Sequence, residues 1–156
     1  MKHCAAFILT LTLTAAATQA RLGETEQQVT NRYGAVLSSE FRDGYKILGF
    51  KFKEYLVQVR LRDGKSVAEF VCPRARGVEF PEEQALAVAA MVSGNTNWLS
   101  NGREAFKKKW TSNPRGFYAD LGGAPGRPQL LMVTTIAELA RKDEKPEPPE
   151  KRAPGF

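Results

Sequence analysis

The chain has 156 residues, 42% hydrophobic and 26% charged, with one histidine, two cysteines and a net charge of +6. That is the size and balance of one globular domain, long enough to bury a core without disulfide staples. A lone imidazole excludes most familiar catalytic and metal-binding constellations, above all because it sits at position 3.

Residues 1–20 read as a secretory signal peptide. Lys2 supplies the positive start, residues 5–17 form an uncharged apolar run, and Ala20 is a small residue suited to cleavage. A run of 13 residues falls short of the about 20 needed to span a membrane. Cleavage after Ala20 removes His3 and Cys4, leaving Cys72 as a lone thiol. A free cysteine on a strand packs as a small hydrophobe, and no histidine remains to activate it. Without Lys2 the processed chain has 22 basic and 17 acidic side chains, a net +5. That modest excess maintains solubility and favours anionic encounters. The expected location is secreted or periplasmic.

The domain is expected over residues 21–141. Residues 22–34 read as a short helix: Thr25 and Gln28 form a capping pattern, Val29 and Tyr33 share a face, and Gly34 stops the turn. Residues 45–52 alternate, with Leu48, Phe50 and Phe52 on one side. Lys53-Glu54 is a turn. In residues 55–62, Tyr55, Val57, Val59 and Leu61 oppose Gln58, Arg60 and Arg62, the pattern of a half-buried antiparallel strand. Asp63-Gly64 is a hairpin turn, and a third strand runs over 66–72 before Pro73.

Pro81 opens a second helix, with Glu82 and Glu83 at the positive end of its dipole. Leu86, Ala89, Ala90 and Val92 are its expected packing surface, and Gly94 ends it. Strands are then expected over 105–111, 117–121 and 129–134, followed by a short helix over 136–141. Residues 142–156 hold four prolines and many charges, a composition that cannot repay its ordering entropy, so the tail is expected to be disordered. The order suggests an α+β fold: antiparallel β-meanders with helices packed on one face, in two helix-plus-three-strand units over 22–72 and 80–135.

One stretch carries a family likeness. Leu22-Gly23-Glu24-Thr25-Glu26-Gln27-Gln28-Val29, then Arg32-Tyr33-Gly34 and Leu61-Arg62-Asp63-Gly64-Lys65-Ser66-Val67, resemble the helix-plus-meander domain of the outer-membrane-assembly lipoproteins. The β-lactamase-inhibitor proteins resemble a tandem version of that unit, and the whole chain resembles small secreted bacterial proteins. The resemblance covers about fifty residues, carried mostly by capping and turn chemistry. It implies a non-catalytic, protein-binding or scaffolding domain and transfers no active site. The chain departs from the lipoproteins in having no cysteine after the apolar run to receive a lipid.

Candidate chemistry is sparse. Glu24 with Glu26, and Glu82 with Glu83, flank helix starts and read as dipole partners. Asp43 and Asp63 precede glycines and read as turn residues. Asp120 has no local explanation. Gly122-Gly123-Ala124-Pro125-Gly126 lacks the lysine and strand–helix context of a phosphate loop. No cofactor and no metal are expected. Arg103, Lys107, Lys108, Lys109, Trp110 and Arg115 form the densest basic-aromatic cluster. On a strand, Lys107 and Lys109 face one way, Phe106, Lys108 and Trp110 the other. The cluster would bind an anion through Arg103, Lys107, Lys109 and Arg115 while Trp98 or Trp110 stacks on a sugar or base. Against that stands the ordinary use of strand tryptophans as core. A smaller basic row, Lys51, Lys53, Arg60 and Arg62, is expected on the outer face of the first meander. The leading expectation is a binding module without catalysis whose partner is another protein. The alternatives are an anion-binding envelope protein, for acidic glycan, lipid head group or nucleic acid, and a small carboxylate-based hydrolase.

Overall fold

Eight antiparallel strands hydrogen-bond in the order β1-β2-β3-β4-β8-β7-β6-β5. The computed structural model describes residues 21–75, 80–104, 107–123 and 129–143; the expected signal peptide, most of the glycine loop and the tail beyond residue 143 lie outside them. The strands are β1 (Ser38–Arg42), β2 (Tyr45–Phe52), β3 (Tyr55–Arg62), β4 (Lys65–Pro73), β5 (Trp98–Glu104), β6 (Lys107–Ser112), β7 (Phe117–Gly122) and β8 (Leu130–Thr135). Helix α1 (Glu26–Tyr33) precedes β1, α2 (Glu82–Ser93) separates the two runs of strands, and α3 (Ile136–Asp143) follows β8. The fold is thus mixed α/β and dominated by one antiparallel sheet. Residues 142 and 143, expected in the tail, end α3.

Local chemistry explains α1. Thr25 Oγ1 accepts from the Gln28 N–H at 3.3 Å, and Gln28 Oε1 accepts from the Thr25 N–H at 2.9 Å, a closed capping box. Val29 and Tyr33 are buried. Tyr33 packs on the rings of Phe50 and Phe52, with centroids 5.4 and 5.2 Å away. The hairpin turns follow their residues: Asp43-Gly44 and Asp63-Gly64 all take positive φ, as the tight turns of right-twisted hairpins demand.

The inner face of the sheet, beneath α1 and α2, carries the core. Leu48, Phe50, Val57, Val59, Leu61, Val71, Trp110, Ala119, Leu121, Leu131 and Val133 belong to one buried cluster with both helices. Strand pairing makes it continuous: Val71 sits opposite Leu131 across β4–β8, and Ala119 opposite Val133 across β7–β8.

Four expectations need correcting. First, each half contributes four strands, since β1 and β5 add an edge strand to each meander. All five β1 residues are exposed, so no alternation marks them. Second, Pro81 is the N-cap of α2, and the buried face is Ala85, Val88, Ala89 and Val92. Leu86 and Ala90 are only half-buried, because small residues let the helix approach the sheet along that other line. Third, α3 does not share the face of α1 and α2. Its Glu138 reaches Tyr45 and Arg62, which alternate to the opposite, outer face. Fourth, Lys53 is not in the outer row, because it occupies the turn at φ 51° with its ammonium 5.5 Å from the Phe52 ring.

Candidate functional site

The expected basic-aromatic cluster is divided by the sheet. Trp110 is 2% exposed within the core, so it offers no ring to a sugar or base, correcting that reading. Its strand register explains the burial: Trp110 pairs with Ala119, whose small side chain leaves room for the indole on the inner face. Trp98 is half-buried, and its indole N–H donates to the Asn95 carbonyl at 2.8 Å. Lys108 points inward with Trp110 and joins Glu82 of α2 at 2.6 Å. Lys107 and Lys109 lie on the outer face, opposite Gly122 and Asp120. Arg115 is exposed in the turn after β6, and Arg103 pairs with Lys108 in the β5–β6 register. The structure therefore keeps Lys107 and Lys109 together and separates both from Trp110.

Two buried ionic groups escaped sequence reasoning. In one, Arg32 binds Glu24 and Glu69, each at 2.6 Å, and Glu69 is fully buried on β4. The Tyr33 hydroxyl also donates to Glu69, and the guanidinium lies 4.1 Å from the Tyr33 ring centroid. Burial pushes the Glu69 carboxyl above its ordinary range, opposed by Arg32 and the Tyr33 hydroxyl. Burial also raises the Tyr33 phenol, helped by the Glu69 charge. Desolvation works against the Arg32 charge, but its bond to Glu69 carries the pKa upward overall. In the second group, Glu138 of α3 accepts from Tyr45 and pairs with Arg62 at 2.9 Å. The signal for the first was present: Glu69 is the one acid in the apolar run of β4, and a lone strand carboxylate needs a buried partner. Glu24 is thus an ion-pair residue as well as a helix-start acid, and Glu26 pairs with Lys46 at 2.7 Å.

The outer face holds a candidate binding site. A cavity of about 450 Å³ opens there, lined by Leu37, Gly49, Leu56, Gln58, Arg60, Phe70, Cys72 and Leu130 among others. Leu37, Leu56 and Leu130 are 62%, 44% and 41% exposed. Cross-strand pairing assembles it: Gly49 sits opposite Gln58, Gln58 opposite Phe70, and Leu56 opposite Cys72. Gly49 brings β1 and β2 close here, and a Cβ at this position would require the Ser38 hydroxyl to rotate away. The Arg60 guanidinium lies 4.5 Å from the Phe70 ring centroid and 5.6 Å from that of Tyr45. Its Nε is buried without a hydrogen-bond partner among the described residues. The Arg62 guanidinium also lies over the Tyr45 ring, 4.3 Å from its centroid. Burial raises the Cys72 thiol pKa, against the Leu56 backbone hydrogen bond.

A second cavity, about 530 Å³, is lined by Glu54, Tyr55, Pro73, Arg74, Ala75 and Gln84. Neither of these two cavities holds a pair of carboxylates. Among the described residues, no group of three His, Cys, Asp or Glu gathers to hold a metal. Also among them, no helix is long and apolar enough to cross a membrane.

No family model matches the chain, and no curated protein does. Among solved structures, the chain is similar to a cysteine-rich secretory protein from Staphylococcus aureus subsp. aureus Mu50. The identity is 18% and the TM-score 0.45, over 76% of this chain and 44% of that one. It is also similar to an extracellular protein containing an SCP domain from Bacillus anthracis str. Ames. There the identity is 12% and the TM-score 0.48, over 85% of this chain and 53% of that one. The chain thus spans about half the length of the structures it matches, and both are coarse likenesses of shape.

Proposed function

We propose that this is an exported, non-catalytic binding module that holds an acidic, partly apolar segment of another protein on the outer face of its sheet. Arg60 is the anchor. The observation that carries this reading is its stacked guanidinium beside an apolar cavity, with an Nε that no described residue satisfies. A buried donor without a partner costs on the order of 1–3 kcal/mol. Stacking against Phe70 and Tyr45 holds the planar fork in place before binding, which lowers the entropy lost when a carboxylate is gripped.

The rest of the face supports such a partner. Leu37, Leu56 and Leu130 supply exposed apolar contact around the cavity. Lys51 and Lys107 add positive charge on the same side of the sheet, which steers an acidic partner. Export rests on the signal-like residues 1–20. The anion-binding alternative, through Arg103, Lys107, Lys109 and Arg115, is left without Trp110 as a stacking platform. The hydrolase alternative finds no paired acids in either described cavity.

The test is selection of peptides from a random display library on the processed chain. Enriched peptides should carry Asp or Glu next to aliphatic or aromatic residues. Their binding should fall at least about tenfold in Arg60→Ala and Leu56→Asp, as for loss of a charged anchor, and be unchanged in Arg115→Ala. Enrichment without acids, or binding indifferent to Arg60, would overturn the proposal. Loss of binding in Arg115→Ala and a steep collapse with salt would favour the anion-binding alternative instead.

A further inference from the structure

The two edges of the sheet differ. At one edge, β5 is interrupted: its register with β6 shifts between Ser100 and Arg103, and Gly102 takes φ 100°. Such irregularity blunts an edge against adding another strand. At the other edge, β1 pairs with β2 in unbroken register from Ser38–Gly49 to Arg42–Tyr45. It contains no proline and no lysine, the usual guards of an edge. All five of its residues are exposed, and Phe41, at 81%, is the most exposed of the large hydrophobic side chains described.

From this we infer that β1 is the seam of a two-fold dimer, in which a second copy of the chain adds its own β1 antiparallel to the first. The charge pattern selects both occupant and register. Pairing centred on Phe41 sets Phe41 against Phe41 and Glu40 against Arg42 of the partner copy, twice by symmetry. Centring on Glu40 would instead place like charges opposite one another, which is destabilising. A strand whose charges complement themselves about a central aromatic is what an isologous two-fold interface requires. Within one chain Glu40 and Arg42 already pair at 3.0 Å, with side chains 53% and 56% exposed. Such a solvated pair contributes little, so exchanging the one in each copy for two cross-strand pairs loses nothing of consequence. Dimerisation would extend the sheet through β1, whose Ser38 also lines the rim of the Arg60 cavity; the inference rests on the edge strand and not on the proposal above.

Sedimentation velocity of the processed chain from about 1 to about 200 µM should show a monomer–dimer equilibrium. Glu40→Arg alone and Arg42→Glu alone each turn two attractions into two repulsions and should weaken the dimer at least about tenfold. The double variant Glu40→Arg/Arg42→Glu restores opposite charges across the seam and should return the affinity to within about threefold of the parent. Phe41→Ser should leave monomer throughout. All these side chains are exposed, so far-UV circular dichroism should be unchanged in each variant. A parent chain that is monomeric across the whole range, or a double variant no better than the singles, would overturn the inference.

Discussion

Substituting Arg32 by methionine probes the buried ionic group most directly. The guanidinium is 8% exposed and its partner Glu69 0%, so solvent cannot replace the lost charge. An exposed pair would be worth about 0–1 kcal/mol. Here the variant leaves a carboxylate held only by the Tyr33 hydroxyl inside the core, and removing one partner of a buried pair costs about 3–5 kcal/mol. For a chain of this size that corresponds to a melting point lower by about 6–20 °C. Urea unfolding followed by the fluorescence of buried Trp110 measures the difference by linear extrapolation. The pH dependence adds a second check. Burial already raises the Glu69 carboxyl above its ordinary value of 4.5, and without Arg32 it rises further. A folded-state pKa above the unfolded one means stability is present below the unfolded value and lost as pH climbs through the folded one. The Arg32→Met deficit should therefore be small near pH 4, where Glu69 is neutral, and grow toward pH 7. Arg32→Met/Glu69→Leu removes both charges and should recover most of the loss, because apolar replacement of a buried pair is often neutral or better. A deficit under about 1 kcal/mol at pH 7, or a double variant no more stable than the single, would refute this account.

Three further outcomes follow from the same structure. Thr25→Ala opens the capping box and should lower stability by about 1 kcal/mol in urea titration, with Gln28→Ala costing less. Burial, with Glu69, Glu138 and Glu54 beside them, raises the phenols of Tyr33, Tyr45 and Tyr55. The folded state therefore holds these protons more tightly than the unfolded chain. Stability should be level below pH about 10 and fall as pH rises beyond it, with late tyrosinate absorbance near 295 nm as the optical check. Cys72, its thiol pKa raised by burial, should react with a disulfide reagent at pH 8 at least about tenfold more slowly folded than in urea.

What could be read from the residues was local. The Thr25–Gln28 box, the Asp-Gly turns and the alternation of β2, β3 and β4 depend on neighbours a few positions apart, so their chemistry is written in short windows of sequence. Strands β6, β7 and β8 were equally visible, with ends shifted by a residue or two. The edge strands were not, because β1 and β5 exist only by pairing with a neighbour and bury too little to impose a period. The face that α2 buries was misread for a related reason. Its residues are apolar nearly all round, and the sheet beneath chooses among them.

The sequence by itself determined the helices, the six inner strands and most of the turns between them, since capping, φ preference and side-chain alternation act over single turns and hairpins. Tertiary structure alone decided that β4 meets β8 and closes two meanders into one sheet. It alone buried Glu69 beneath Arg32 and slid Arg60 between Tyr45 and Phe70. Those contacts join residues from 10 to more than 60 positions apart. Their partners are chosen by the register of the whole sheet, which no local stretch of chain encodes.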